Sequence, residues 1–245
     1  MAEPIRLGIN GADGRMGRSL QALLRDDARF ALVACVHASA DWAKVPKLEV
    51  VIDFSTPAGF DAASAHCESH GVALVSGTTG LGTAQREALG DAARVVPVLH
   101  AANFSLGIAV LTKLLREAAA SLPEWDLEII EAHHARKLDA PSGTALALGR
   151  AVAEARGQEL DKVAVLSREG HIGARATGAI GFASIRAGDI AGEHTAMLAT
   201  SGERLELSHR ATDRAIFARG ALHAAAWIAG QPPGAYSLDD LLPDN

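Results

Sequence analysis

The sequence predicts an α/β protein in two parts: a parallel sheet with helices on both faces, then an α+β region with a mixed or antiparallel sheet. Three observations predict it. From Ile5 to Leu99, short apolar or β-branched runs alternate with helical patterns, the rhythm of βαβ units. After Asn103 the strands come grouped, with little helix between them, which is the α+β rhythm. A glycine-rich turn joins the first strand to the first helix, where open α/β sheets bind ligands.

In order, residues 5–9 read as the first strand and 16–24 as the first helix. Residues 32–36 and 50–54 are the next two strands, 58–70 a helix, 72–75 a strand, 84–93 a helix and 95–99 a strand. The segment 37–47 is too short for a full crossover helix. Beyond Asn103, residues 106–120 read as a helix, 127–133 as a strand and 141–156 as a helix with Pro141 in its first turn. Strands follow at 163–167, 179–186, 194–200 and 203–208, the last two joined by the turn Ala199-Thr200-Ser201-Gly202-Glu203. A final helix starts near Thr212, an N-cap followed by Asp213, and ends before Gly230, with Pro232-Pro233 just beyond. No repeat or low-complexity linker is found, so the join near Asn103 reads as a hinge-like boundary.

Composition narrows the function. The chain has 245 residues, 49% of them hydrophobic, and 23 Lys+Arg against 29 Asp+Glu give a net charge of −6. That balance argues against a nucleic-acid partner. No apolar run suits a membrane span and no secretory signal is read at the N-terminus. Two cysteines, Cys35 and Cys67, exclude a disulfide framework and point to a reducing, cytoplasmic setting.

Two motifs carry chemistry. Gly11-Ala12-Asp13-Gly14-Arg15-Met16-Gly17 lies between a strand and a helix. Glycine permits positive φ and close backbone approach, and the helix aims its N–H groups at the loop, which suits a pyrophosphate. The acid expected on a ribose at the second strand's end is replaced by His37, with Asp41 a little further on. Arg15 and Arg18 can meet a 2′-phosphate, so the choice between NADPH and NADH leans to NADPH. Gly77-Thr78-Thr79-Gly80 and Ala101-Ala102-Asn103-Phe104-Ser105 follow later strands, and Phe104 offers a flat face.

The second motif runs from Glu131 to Ala145. His133, His134, Arg136 and Lys137 crowd a strand's end just before the helix start Ser142-Gly143-Thr144. Cations beside helix N–H groups make an anion site, and the simplest ligand is a small dicarboxylate. A histidine here can exchange protons. If the strand persists to His134, the two histidines face opposite ways. A zinc site would need a third ligand, and none lies at a recognisable spacing, so no metal is expected.

Taken together, Gly11 to Gly17, Asp53-Phe54-Ser55-Thr56, Gly77 to Gly80, Asn103 to Ser105, Glu131 to His134, Lys137 to Ala145, Ser167 to His171 and Arg186 to Thr195 resemble the dihydrodipicolinate (4-hydroxy-tetrahydrodipicolinate) reductase family of diaminopimelate and lysine biosynthesis. The resemblance runs from the first strand to the last helix. It implies NAD(P)H-dependent reduction of 4-hydroxy-tetrahydrodipicolinate to tetrahydrodipicolinate. It implies a Rossmann-type cofactor domain (1–103 and 213–245) and an inserted substrate-binding and oligomerisation domain (104–212) that closes on it, in a homotetramer joined through the substrate-domain sheets. Gly11, Ala12, Asp13, Gly14, Arg15 and Met16 would meet the pyrophosphate. Gly77, Thr78, Thr79, Ala101, Ala102, Asn103 and Phe104 would line the nicotinamide side. His133 would be the proton donor/acceptor and Lys137 a proton donor, with His134, Gly143 and Thr144 on the substrate carboxylates. His37 departs from the acidic residue the family often carries, and 37–49 is shorter than in longer members. A sugar or semialdehyde reductase of similar build would carry Glu-Lys-Pro after a strand, which Gly77-Thr78-Thr79-Gly80 is not. A non-catalytic dinucleotide sensor would not need the His/Lys cluster.

Overall fold

The structure is a computed structural model that describes residues 3–37 and 40–243, in two compact units: Met1–Leu106 with Ala215–Asn245, and Gly107–Arg214. In the first unit the chain alternates strand and helix through β1 (Ile5–Asn10), α1 (Arg15–Leu24), β2 (Phe30–Val36), β3 (Val50–Asp53), α2 (Pro57–His70), β4 (Ala73–Ser76), α3 (Thr83–Ala92) and β5 (Pro97–His100). The reason is visible in the sequence: β3 and β4 are buried at every residue, and they are apolar on both faces except at their last residues, Asp53 and Ser76, which bond to each other. Helix α2 carries its own punctuation. The Thr56 hydroxyl caps Gly59 N–H, Pro57 opens the helix, and Gly71 closes it with φ +66°. The crossover from β2 to β3 holds only a 3-10 turn, Trp42–Lys44, capped by Asp41; residues 38 and 39 of it lie outside the described residues.

Helix α4 (Leu106–Ser121) leads into the second unit, which continues with β6 (Asp126–His133), α5 (Gly143–Ala155), α6 (Leu160–Val163), β7 (Ala164–Val165), β8 (Ile180–Arg186), β9 (Gly192–Thr200) and β10 (Glu203–Ala211). Its five strands lie in the order β10-β9-β6-β8-β7. The pairs of β6 and β7 with β8 are parallel and those of β9 with β6 and β10 antiparallel, so the sheet is mixed. Leu127, Ile129, Phe182, Ala196 and Leu198 pack with Leu115 of α4 and Leu148 and Val152 of α5 in one core. Alternation turns Ile130, Ile185 and Met197 to the opposite face, where Ile185 is half exposed.

The expected strand over 163–167 is instead a helical turn and the two-residue β7, and Leu166 onward is irregular as far as Ala179. Pro141 precedes the helix it was expected to open; Ser142 is the cap, accepting from Ala145 N–H at 3.1 Å.

The chain returns to the first unit with α7 (Ala215–Ile228) and β11 (Gly234–Tyr236). Helix α7 begins after Thr212, which is therefore not its cap. Gly220 lets α7 lie against the Phe104 carbonyl, where a Cβ would clash. The completed sheet is six-stranded and parallel throughout, in the order β11-β5-β4-β3-β1-β2. The strand order reverses at β1 and β3, and ligands of such sheets bind beyond the carboxyl ends of the strands there.

Candidate active site

A cavity of about 440 Å³ opens at that switch point. Its walls include Gly11, Asp13 and Gly14 after β1, His37 and Trp42 after β2, and Ser55 after β3. Gly11 holds φ +79°, and a Cβ there would strike the Phe54 carbonyl. A Cβ on Gly17 would meet the Gly11 carbonyl oxygen, so α1 starts tight against the turn. Gly14 caps α1 without a side chain, which leaves the helix start open to a phosphate. These features fit a nucleotide. The rim is braced from below by Asp53, fully buried, which accepts from Asn10 Nδ2 (2.8 Å), Ser55 Oγ (2.5 Å), Ser76 Oγ (2.8 Å) and Thr78 Oγ1 (2.8 Å). A buried carboxylate needs such donors. They tie the ends of β1, β3 and β4 together.

The other expected cofactor residues are spread more widely. Ala12 is buried beneath the turn, while Arg15 is exposed at the start of α1 with Met16 partly buried next to it. Gly77 approaches the Phe54 ring so closely that no Cβ would fit. The Thr78 hydroxyl is committed to Asp53 and to Ser55 N–H (3.0 Å), and Thr79 follows it. Ala101 and Ala102 follow β5, and Asn103 Oδ1 accepts from Ser105 N–H at 2.8 Å. The Phe104 ring is 1% exposed and edge-on to Phe54 at 5.4 Å, so it offers packing rather than the open flat face expected of it. His37 Nδ1 sits 2.7 Å from Asp13 Oδ2. Sequence reasoning missed Trp42 and Ser55 in the wall; the shortness of segment 37–49 was the one signal that could have brought Trp42 forward.

The second unit gathers the basic motif. β6 ends at His133, so His134 is the first residue of the loop and not a strand residue. Lys137 follows in a turn whose N–H reaches the His134 carbonyl (3.1 Å), and its Nζ lies 2.8 Å from Asp139 Oδ1. Gly143 and Thr144 form the start of α5. Desolvation, then the charges of Arg214, Arg136, His133 and Lys137, push His134 below the ordinary imidazole range. An anion arriving here would find cations already gathered.

Four residues without an expected role complete the cluster. Glu131 is paired by both oxygens to Arg186 of β8 (2.7 and 2.8 Å) and accepts from Ser142 N–H (3.1 Å). Ser142 Oγ lies 3.1 Å from His194 Nε2 of β9. The signal for Glu131 was present: of the strand's acids it is the one two residues before His133, and so the nearest that shares its face.

A parallel sheet with a cavity that fits a nucleotide at its switch point, together with a second unit that gathers histidines, arginine and lysine before a helix start, is the build of a pyridine-nucleotide-dependent oxidoreductase. Family models described as "Dihydrodipicolinate reductase, N-terminus" and "Dihydrodipicolinate reductase, C-terminus" match residues 5–46 with 38–104, and residues 107–242. The chain belongs to the dihydrodipicolinate reductase family. It is 44% identical to 4-hydroxy-tetrahydrodipicolinate reductase of Halorhodospira halophila (strain DSM 244 / SL1), over 96% of this chain and 98% of that protein. The dipicolinate-bound dihydrodipicolinate reductase from Paenisporosarcina sp. TG-14 superposes with a TM-score of 0.79 at 24% identity, covering 98% of this chain and all (100%) of that one. The DAP dehydrogenase of C. glutamicum in complex with DAP shares the fold at a TM-score of 0.55 and 17% identity, over 100% of this chain and 97% of that one.

Proposed function

We propose that this chain reduces 4-hydroxy-tetrahydrodipicolinate to tetrahydrodipicolinate in diaminopimelate and lysine biosynthesis, with NADPH favoured over NADH. The observation that carries the substrate assignment is the cation cluster at the end of β6 set against the start of α5. His134 and the first-turn N–H groups of Gly143 and Thr144 bind the two carboxylates. The nicotinamide, when bound, supplies the hydride. The electron-rich ring that results must take a proton, which His133 or Lys137 delivers, and over the whole reaction the substrate's 4-hydroxyl leaves as water. Lys137 also offsets developing negative charge on the substrate. In the first unit Gly11, Gly14 and the start of α1 hold the pyrophosphate, with Gly77 to Thr79 and Ala101 to Phe104 on the nicotinamide side. Residues 1–103 with 213–245 form the cofactor domain, and 104–212 the substrate domain.

His37 supports the preference for NADPH. It follows β2, where a ribose-binding acid is usual, so the acid whose charge would repel a 2′-phosphate is missing from that position. Oxidation of NADPH and of NADH, followed side by side with freshly made substrate, tests the reading: turnover is expected with both, faster at low concentration with NADPH. The NADPH/NADH ratio of kcat/KM is expected to fall about tenfold in His37→Glu, equivalent to about 1.4 kcal/mol. Cofactor binding without turnover would favour a sensor, and an unmoved ratio would take His37 away from the ribose.

The face of the second sheet turned away from α4 and α5 supports a homotetramer. Its Ile130, Ile185 and Met197 run diagonally across β6, β8 and β9, Ile185 and Met197 each two residues out of register with Ile130, and give that face apolar side chains of the kind an oligomer interface uses. Light scattering is expected to give four chains per particle, and Ile185→Lys to reduce that number. No helix among the described residues is long and apolar enough to cross a membrane. The two free cysteines support a cytoplasmic setting.

A further inference from the structure

Glu131 is a buried acid with more partners than its own solvation needs. It is 1% exposed and leaves the same face of β6 as His133, two residues on. Its Oε2 lies 2.5 Å from His133 Nδ1. Arg186 grips both carboxylate oxygens, at 2.7 and 2.8 Å, and Ser142 N–H donates to Oε1. Burial alone would raise the Glu131 carboxyl, but the hydrogen bonds from Arg186, His133 and Ser184 and the Arg186 charge outweigh it and bring the group down to about 2. An ionised carboxylate accepts hydrogen bonds and donates none. The hydrogen in the short contact therefore belongs to His133 Nδ1, and a neutral His133 carries its lone pair on Nε2.

The surroundings of Nε2 agree. A Cβ on Gly192 would stand 3.1 Å from it, and the φ of +155° there is one that side chains rarely adopt. Glycine leaves Nε2 uncovered on that side. The His194 ring of β9 meets the His133 ring edge-on at 5.2 Å. Burial, then the His133 charge, push His194 down to about 4, so a neutral ring stands there at pH 7. The charged and titratable groups around the pair are Glu131 of β6, Arg186 of β8, His194 of β9, His209 of β10, and His134 and Lys137 of the loop.

We propose that Glu131 is a positioning residue: with Arg186 fixing its two oxygens, it holds His133 in the Nδ1–H tautomer and presents Nε2 as the atom that exchanges a proton with the substrate. This inference rests on the proton-exchanging role of His133 in the proposed function. Orientation of a working histidine by a hydrogen-bonded carboxylate is a general device.

Nitrogen-15 NMR of histidine-labelled wild-type protein tests it directly and needs no variant. His133 is expected to carry its proton on Nδ1 when neutral; a proton on Nε2 overturns the proposal. In Glu131→Gln, whose amide can donate to Nδ1, the expected result is a shift towards the Nε2–H tautomer. With it kcat should fall about 100-fold or more, while the substrate KM and the NADPH Kd stay within about threefold. A merely structural role would leave the tautomer unchanged, and that result, or a kcat near the wild-type value, overturns the proposal. His133→Ala separates the two readings. Lost turnover there beside an unaffected Glu131→Gln removes the role of Glu131 alone. Near-normal turnover in His133→Ala removes the role of His133, and this inference with it.

Discussion

Lys137→Ala is expected to lower kcat by about 10²- to 10⁴-fold, the usual worth of a positioned proton donor, while NADPH binds with nearly unchanged affinity. The split follows from location. Lys137 lies in the second unit, whereas the cavity that fits the nucleotide is built wholly from the first. The substitution should also leave the fold intact. Lys137 Nζ pairs with Asp139 Oδ1 at 2.8 Å, but the Asp139 side chain is 57% exposed. Such a pair is worth only about 0–1 kcal/mol. Its effect on Asp139 is nonetheless visible, since the Lys137 hydrogen bond holds that carboxyl below its ordinary range. In the free protein the ammonium is thus held by a neighbour that an anionic substrate must replace. Steady-state kinetics, a cofactor titration and a melting curve on the one variant separate these effects. A variant with near-normal turnover would sink the assigned role, and one that melts early would show that the pair supports the fold. Lys137→Arg makes a useful partner: it keeps the charge but not a readily transferred proton, so rescue by Arg would assign the residue to electrostatics alone.

The parts of the fold that were legible are those whose burial leaves a period in the sequence. β3 and β4, buried on both faces, read as short apolar runs, each broken only at its last residue by Asp53 or Ser76. β9 alternates in burial because α4 and α5 cover one face only, but in the sequence it was legible as the short apolar run Ala196-Met197-Leu198-Ala199. β11 left no such trace. Gly234-Ala235-Tyr236 holds no β-branched residue, and only its pairing with β5 makes it a strand. The site divides the same way. His133, His134, Lys137, Gly143 and Thr144 were legible because they lie in one short stretch with an evident chemical theme. Arg186 and His194 stand 55 residues from Glu131 and 52 from Ser142. They reach the cluster through strand register, which sets His194 opposite Glu131 and Arg186 opposite His133. Register across a mixed sheet is decided by packing of the whole unit, so no local pattern announces it.

Register also gives the second unit an acid-sensitive point. His194 is 4% exposed, and burial first, then the charges of His133, His209 and Lys137, hold its imidazole at about 4 against an ordinary 6.5, with Glu131 opposing. The direction is unfavourable to folding in acid. Between about 6.5 and about 4 the unfolded chain takes up a proton that the folded chain refuses, so stability falls as the pH drops through that window. Below it both states are protonated and the loss is complete. At about 1.4 kcal/mol for each unit the full effect is at most about 4 kcal/mol, a large fraction of a domain's stability. Glu131 adds a loss of the same sign in a lower window, from the ordinary 4.5 down to about 2, as protonation undoes its pairing with Arg186. The two are separable by where they begin. Urea unfolding at a series of pH values is expected to show wild-type protein weakening as soon as the pH passes below the His194 ordinary value. His194→Asn, which cannot charge, is expected to show a shallower slope over the His194 window, the remaining slope coming from His66, His134 and His209, which desolvation also holds below their ordinary range. Parallel pH slopes for the two proteins would mean that His194 is protonated in the fold. A charged ring would then stand beside His133, and the electrostatics assigned to that site would have to be reversed.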